Sequence, residues 1–182
     1  MQRLGPHVAT IVALAVILSA VAGPAGAAAQ APCAGAEKIA TDEASRRRAA
    51  ATILCLVNTR RRSAGVPVVR THSRLAGVAQ RLSSDMVRRK FIGHVDSSGR
   101  NLRTRIARSG YVRRSSGEII QWGTGAQRTP AALMRKIMAS PRHRPTVISS
   151  RFRDVGVGLV LGAPVAGKPN GATLTLTFGR RT

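Results

Sequence analysis

Acidic residues and aromatic rings are both scarce in this sequence. Against 30 Lys and Arg there are 7 Asp and Glu, and the rings amount to one Trp, one Tyr and three Phe. A dedicated single-strand nucleic-acid binder interleaves its cations with stacking aromatics, so nucleic acid is disfavoured as the purpose of the chain. Cysteine is limited to Cys33 and Cys55. Beyond the first thirty residues no apolar stretch reaches bilayer-spanning length, so no transmembrane segment is expected in the mature chain. A Gly-x-Ser-x-Gly nucleophile elbow is also missing, which removes one common hydrolase class. "GVG" at Gly156–Gly158 lies within a strand pattern with no helix after it, so it lacks the context of a dinucleotide-binding turn.

What the sequence does have begins at its N-terminus. Arg3 and His7 precede the apolar run "VATIVALAVILSAVAG", which gives way to the small residues "AGAAAQ". That order is the one found in a secretory signal peptide, and cleavage is expected after Ala29. An uncleaved anchor is the competing reading, but the run is short for a bilayer crossing and ends in Gly and Pro. The expected organisation is a signal peptide over 1–29, a lead over 30–40 tied by a disulfide, and a single domain over 41–182. The protein is then secreted, extracellular or associated with the cell envelope. An even pair of cysteines in an exported chain is most simply a disulfide, Cys33 to Cys55. A catalytic thiol is disfavoured because "ATILCLV" places no base beside Cys55.

The formal net charge is +23. Such a field draws a protein toward polyanions such as phospholipid headgroups and sugar-phosphate polymers. The arginines are also spread along nearly every segment, as a compositional habit of the source genome would spread them.

Hydrophobic periodicity predicts the elements. "TDEASRRRAAATILCLVNTRRRSAG" reads as a helix capped by Thr41 or Asp42 and ended at Gly65, with the runs Arg46–Arg48 and Arg60–Arg62 facing solvent. A loop, "VPVVRTH", leads to a second helix at about Ser73 to Arg89, with Leu75, Val78, Leu82 and Met86 on one face. A third spans roughly Asn101 to Ser109, with Leu102 and Ile106 inward and Gly110 as a stop. After a Ser-rich turn, "GEIIQW" suits a buried strand that begins at Glu118. "TPAALMRKIMAS" is a helix with Thr129 as cap and Pro130 at its first position. "DVGVGLVLG" and "ATLTLTFG" alternate as the arms of a terminal hairpin with one buried face. Helices first and hairpin last predict an α+β fold with an antiparallel sheet.

Three histidines lie outside the leader: His72, His94 and His143. His94 and His143 stand in polar connections near helix ends, and Glu118 opens an apolar strand in a chain with few acids. Two imidazoles and a carboxylate suit zinc binding or acid-base work. His143 stands between Arg142 and Arg144, whose charges disfavour the imidazolium and leave the ring neutral.

These residues carry a resemblance. "LCLVNTRRRSAGVPVV", "LAGVAQRLSSDMVRRKFIGH", "RIARSGY", "SGEII", "SPRHRPTVISSRFRDVGVGLV" and "LTLTFG" stand in the order and at about the spacing of the bacterial secreted branch of the CAP superfamily, the cysteine-rich secretory protein, antigen 5 and pathogenesis-related type. The resemblance runs from about Ile53 to Gly179. It implies an α-β-α three-layer sandwich with a central antiparallel sheet, and a cleft that holds a divalent metal, zinc or calcium, in some members. By this resemblance His94 and Glu118 match the cleft histidine and the motif glutamate, and His143 matches the histidine of the bacterial Ser-Pro-Gly-His-Arg motif; the three are the catalytic and metal-ligating candidates, with Arg142 and Arg144 added as ligand-binding candidates for an anion. The chain departs from the pattern at Ile119, where the family has Asn, at Arg142, where it has Gly, at Ile137, where it has Trp, and near Ser140, where the second acid has no counterpart. The function implied is a non-catalytic binding module for a lipid, a sterol or an anionic cell-envelope ligand. The alternative is a metal-dependent or Glu/His acid-base hydrolase acting on peptide or glycan bonds of the envelope. One acid cannot run the two-carboxylate glycosidase scheme.

Overall fold

Asp42 starts the first helix by a reciprocal cap: its Oδ1 accepts from the Ser45 amide at 2.7 Å, while its own amide donates to Ser45 Oγ at 3.0 Å. The computed structural model describes residues 1–2 and 33–182. All but Met1 and Gln2 of the expected leader, and its cleavage site, fall outside the described residues. Pro32–Thr182 forms a unit of its own, and every element below belongs to it. In chain order these are α1 (Glu43–Ser63), β1 (Arg70–Thr71), α2 (Ser73–Arg89), α3 (Leu102–Arg108), β2 (Ser115–Thr124), a short 3-10 turn (Gly125–Arg128), α4 (Pro130–Ala139), α5 (Arg144–Val147), β3 (Asp154–Leu161) and β4 (Gly171–Arg180).

The four strands form one sheet in the order β1-β3-β4-β2. β3 and β4 are the predicted antiparallel hairpin, and β2 pairs antiparallel with the far side of β4. The expected loop before α2 contributes two residues, β1, parallel to β3, so the sheet is mixed. β2 starts at Ser115 rather than Glu118, because the serines expected to form a turn pair with Arg180 and Gly179 of β4.

The hairpin was expected to bury one face, and it buries both. Leu174, Leu176 and Phe178 join Ile53 and Val57 of α1 and Leu133 and Ile137 of α4 in the main core. The alternate positions Thr173, Thr175 and Thr177 are equally inaccessible. They lie under α2, where Ser83 Oγ sits 2.8 Å from Thr175 Oγ1 and donates to the Gly158 carbonyl at 2.9 Å. The same close approach explains the glycines of "GVG". A Cβ at Gly156 would lie 2.0 Å from the backbone of Leu75, and one at Gly158 would lie 2.2 Å from that of Ala79. Helices therefore cover both faces of the sheet, which is the expected α-β-α sandwich.

On α1 the inward residues Ala49, Ile53 and Val57 recur every four positions, and Arg61 falls on the next step. Arg61 does not face solvent as expected; it is 0% exposed. Its guanidinium donates to the carbonyls of Pro67, Val147 and Phe152 at 2.8, 2.6 and 3.2 Å, tying the end of α1 to α5 and to the approach to β3. The disulfide joins Cys33 to Cys55 as expected, across 22 positions. By the loop-entropy account a closure of this length contributes about 3 kcal/mol.

Candidate functional site

Strand alternation aims the side chains of β2. Ile119 points into the main core, whereas Ile120 packs with Leu82 and Met86 of α2 on the other face. Glu118 shares the face of Ile120, at the edge of the sheet and under the segment that joins α2 to α3. That segment is shaped by its own polar groups. Asp96 Oδ1 accepts from the amides of Ser98 and Arg100, and Asn101 caps α3 by accepting from the Thr104 amide at 3.0 Å.

The result brings two predicted residues into contact. His94 Nδ1 lies 2.9 Å from Glu118 Oε1. An ionised carboxylate can only accept, so Nδ1 carries the hydrogen and a neutral ring keeps its lone pair on Nε2. The imidazole is 60% exposed, while the carboxylate beneath it is 2% exposed. His143 is close enough to His94 for their charges to interact. Its ring is pushed toward neutrality first by burial, then by His94 and Arg142. Its buried Nδ1 has no hydrogen-bond partner within the described residues. Arg142 and Arg144 are exposed, and Arg144 opens α5.

The sequence reading missed Arg105. Its guanidinium is buried and meets Glu118 with both terminal nitrogens, Nη1 to Oε2 at 2.9 Å and Nη2 to Oε1 at 3.0 Å. Nη2 also donates to the His94 carbonyl at 2.8 Å, and Nε to the Arg100 carbonyl at 3.3 Å. A usable signal was present: Arg105 lies three positions after Leu102 and next to Ile106, on the inward side of a short helix. An arginine there needs a buried partner, and acids are few.

This arrangement does not fit a metal. Both oxygens of Glu118 accept from Arg105, His94 Nδ1 is engaged with the same carboxylate, and the guanidinium places a positive charge where a cation would bind. Among the described residues no group of three His, Cys, Asp or Glu side chains is placed to hold a metal ion. Beside the pair a cavity of about 400 Å³ opens between Val95, Leu102, Arg103, Ser116, His94 and Glu118. Val95 is half exposed there.

A mixed sheet sandwiched by helices brings a histidine from the α2–α3 connection onto a glutamate of the edge strand. The chain belongs to the CAP family: residues 54–167 match CAP, the cysteine-rich secretory protein family. Among solved structures it resembles an extracellular protein containing a SCP domain from Bacillus anthracis, at TM-score 0.63 and 21% identity over 78% of this chain. It also resembles an outer surface protein from Borrelia burgdorferi, at TM-score 0.61 and 17% identity, covering 71% of this chain and 90% of that one. A cysteine-rich secretory protein from Staphylococcus aureus matches at TM-score 0.55 and 13% identity over 74% of this chain. The chain spans 45% of the Bacillus protein and 39% of the Staphylococcus protein. No curated protein sequence matches it.

Proposed function

We propose that this chain is an extracellular, non-catalytic binding module whose cleft at His94 and Glu118 takes an anionic lipid of the cell envelope. The observation that carries this reading is the clamp of Arg105 on Glu118. A carboxylate that is 2% exposed and accepts two hydrogen bonds from a guanidinium is a structural anchor, not a base within reach of substrate. The neighbouring cavity supplies apolar surface at Val95 and Leu102 and a cation at Arg103. Its volume lies within the range of small-ligand sites. The extracellular and outer-surface names of the structural relatives agree with the leader expected from the sequence.

The test is co-sedimentation of the chain lacking residues 1–29 with vesicles of phosphatidylcholine alone and of phosphatidylcholine with phosphatidylglycerol. Binding to the anionic vesicles that is lost in Val95→Asp/Arg103→Glu supports the reading. Binding that ignores this variant, or none to either vesicle, overturns it.

One observation favours the acid-base hydrolase as a second reading. The Nδ1–carboxylate bond directs the lone pair of His94 Nε2 away from Glu118, as in a His general base oriented by an acid. Release of peptide or glycan fragments from envelope material that disappears in His94→Ala would establish it.

A further inference from the structure

We infer a second binding site, separate from the cleft: an arginine trough between α2 and α3 that takes a linear, phosphate-bearing polymer without bases. A cavity of about 450 Å³ is lined by Arg81, Arg88, Arg89, Arg100, Arg105 and Arg108. A second cavity, of about 590 Å³, shares Arg81 and Arg108 with the first and adds Arg74, so the two adjoin at that pair of arginines. The acids facing these arginines are Asp85 and Asp96, while Arg105 is matched by Glu118.

The two aspartates build the wall instead of cancelling the trough. Asp85 accepts from the amide and hydroxyl of Ser97, both at 2.8 Å, which pins the α2–α3 connection to α2. The same carboxylate steadies Arg89 at 3.3 Å and Arg88 at 3.9 Å, and Asp96 holds Arg100 at 2.8 Å. Arg100 is thereby oriented before any ligand arrives, which lowers the ordering cost of binding, while Arg88 and Arg89 stay largely exposed beside Asp85. Arg81 and Arg108 are different. They are exposed, they stand where the two cavities join, and among the described residues neither has a carboxylate within ion-pair distance.

The shape and lining choose the ligand class. Planar guanidiniums favour phosphate oxygens, which they meet with paired hydrogen bonds. No Phe, Tyr or Trp lines either cavity, so nothing is present on which bases could stack. A concave surface lined by guanidiniums, with Val78 and Leu82 as its apolar part, suits a thin phosphate chain lying lengthwise. The inference does not rest on the lipid reading of the cleft.

The experiment measures binding of linear inorganic polyphosphate to the disulfide-intact chain lacking residues 1–29, as a function of salt. Single-stranded oligothymidylate serves as the base-bearing comparison. Arg81→Ala/Arg108→Ala is expected to weaken polyphosphate binding about tenfold or more and to lower the salt slope by roughly 1 to 2. Arg48→Ala/Arg60→Ala removes the same charge from exposed positions of α1 and is expected to change affinity by less than about threefold, since only the long-range field is altered. The cleft variant Val95→Asp/Arg103→Glu should still show a further loss when Arg81→Ala/Arg108→Ala is added, so the two sites fail separately. Equal loss in the two double-alanine variants would overturn the site in favour of the overall charge, as would no binding by the parent chain. Oligothymidylate that binds more tightly than polyphosphate and depends on Arg81 and Arg108 would overturn the ligand class. Unchanged thermal stability of the variants confirms that they are folded.

Discussion

Arg105 and Glu118 meet fork to fork across the gap between α3 and the edge of the sheet, at 2.9 and 3.0 Å, with side chains 7% and 2% exposed. The pair joins an element adjacent in sequence to His94 with a strand that is not, and it holds the His94 carbonyl as well. Removing one member leaves the other as an uncompensated charge away from water. Glu118→Gln is therefore expected to destabilise the domain by about 3 to 5 kcal/mol, whereas Arg105→Met/Glu118→Leu recovers most of the loss. Urea unfolding of Arg105→Met, Glu118→Leu and the double measures the coupling, and additive losses would show that the two residues do not stabilise the fold as a pair.

Arg61 is a second buried cation, but its partners are carbonyls. Arg61→Met strips three backbone oxygens of their donor inside the protein while keeping much of the side-chain volume. The expected cost is about 3 kcal/mol. Arg60→Met, one position away and exposed, is expected to cost less than about 0.5 kcal/mol. Thermal denaturation of both variants checks the contrast.

His143 gives a stability that depends on pH. Burial, His94 and Arg142 hold its folded pKa below the ordinary 6.5. The unfolded chain then binds the proton more readily, so the contribution of this group is fully present above pH 6.5 and is lost as pH falls through the lowered folded value. His143→Gln should flatten that part of the curve. Glu43, whose pKa is pulled down to about 2 by Arg46 and Arg47, loses its own contribution only as pH falls below the unfolded value of 4.5, and that loss is common to the parent and to His143→Gln. Denaturant unfolding at stepped pH is the measurement, and an unchanged slope in the variant would assign the dependence to another group.

The two glycines of β3 should tolerate no side chain. At Gly158 a methyl group would stand 2.2 Å from the backbone of Ala79, and no side-chain rotamer can relieve a clash with helix backbone. Gly158→Ala is expected to force α2 off the sheet and to lower stability by at least about 3 kcal/mol. Gly125→Ala serves as the comparison, because that residue has open space around it and a positive φ of 53° that alanine adopts at moderate cost. Circular dichroism melts of the pair decide the matter.

Zinc and calcium should leave the protein unchanged. A ligand that binds only the folded state raises its melting temperature by mass action, and the engagement of Glu118 with Arg105 removes the carboxylate such an ion needs. Equal melting temperatures with either ion and with a chelator are expected. A rise that is lost in His94→Ala would show that a cation displaces the guanidinium.

Periodicity and turn chemistry are local, and they were legible. The cap at Thr129, the cap placed at Thr41 or Asp42, the helix over Ser73–Arg89 and the terminal hairpin all follow from neighbours within a few positions. The pairing of Cys33 with Cys55 followed from their being a single pair behind an expected export leader, and the order of motifs pointed to the family. Tertiary structure decided what depends on two segments arriving at one place. Arg61 looked like one of three equivalent arginines until the four-residue step of α1 met the carbonyls of Pro67, Val147 and Phe152. Thr173, Thr175 and Thr177 looked like the wet face of a hairpin until α2 covered them. His94 and Glu118 were recognised as partners, but the residue that fixes them was not, because a guanidinium becomes a site residue only through the carboxylate it reaches. The sequence by itself determined which residues could take helical or extended shapes and which sides were apolar, since those depend on local backbone and solvent preferences. Which polar groups lost their water was decided by the packed fold, because burial is a property of the layers around a residue rather than of its neighbours in the chain.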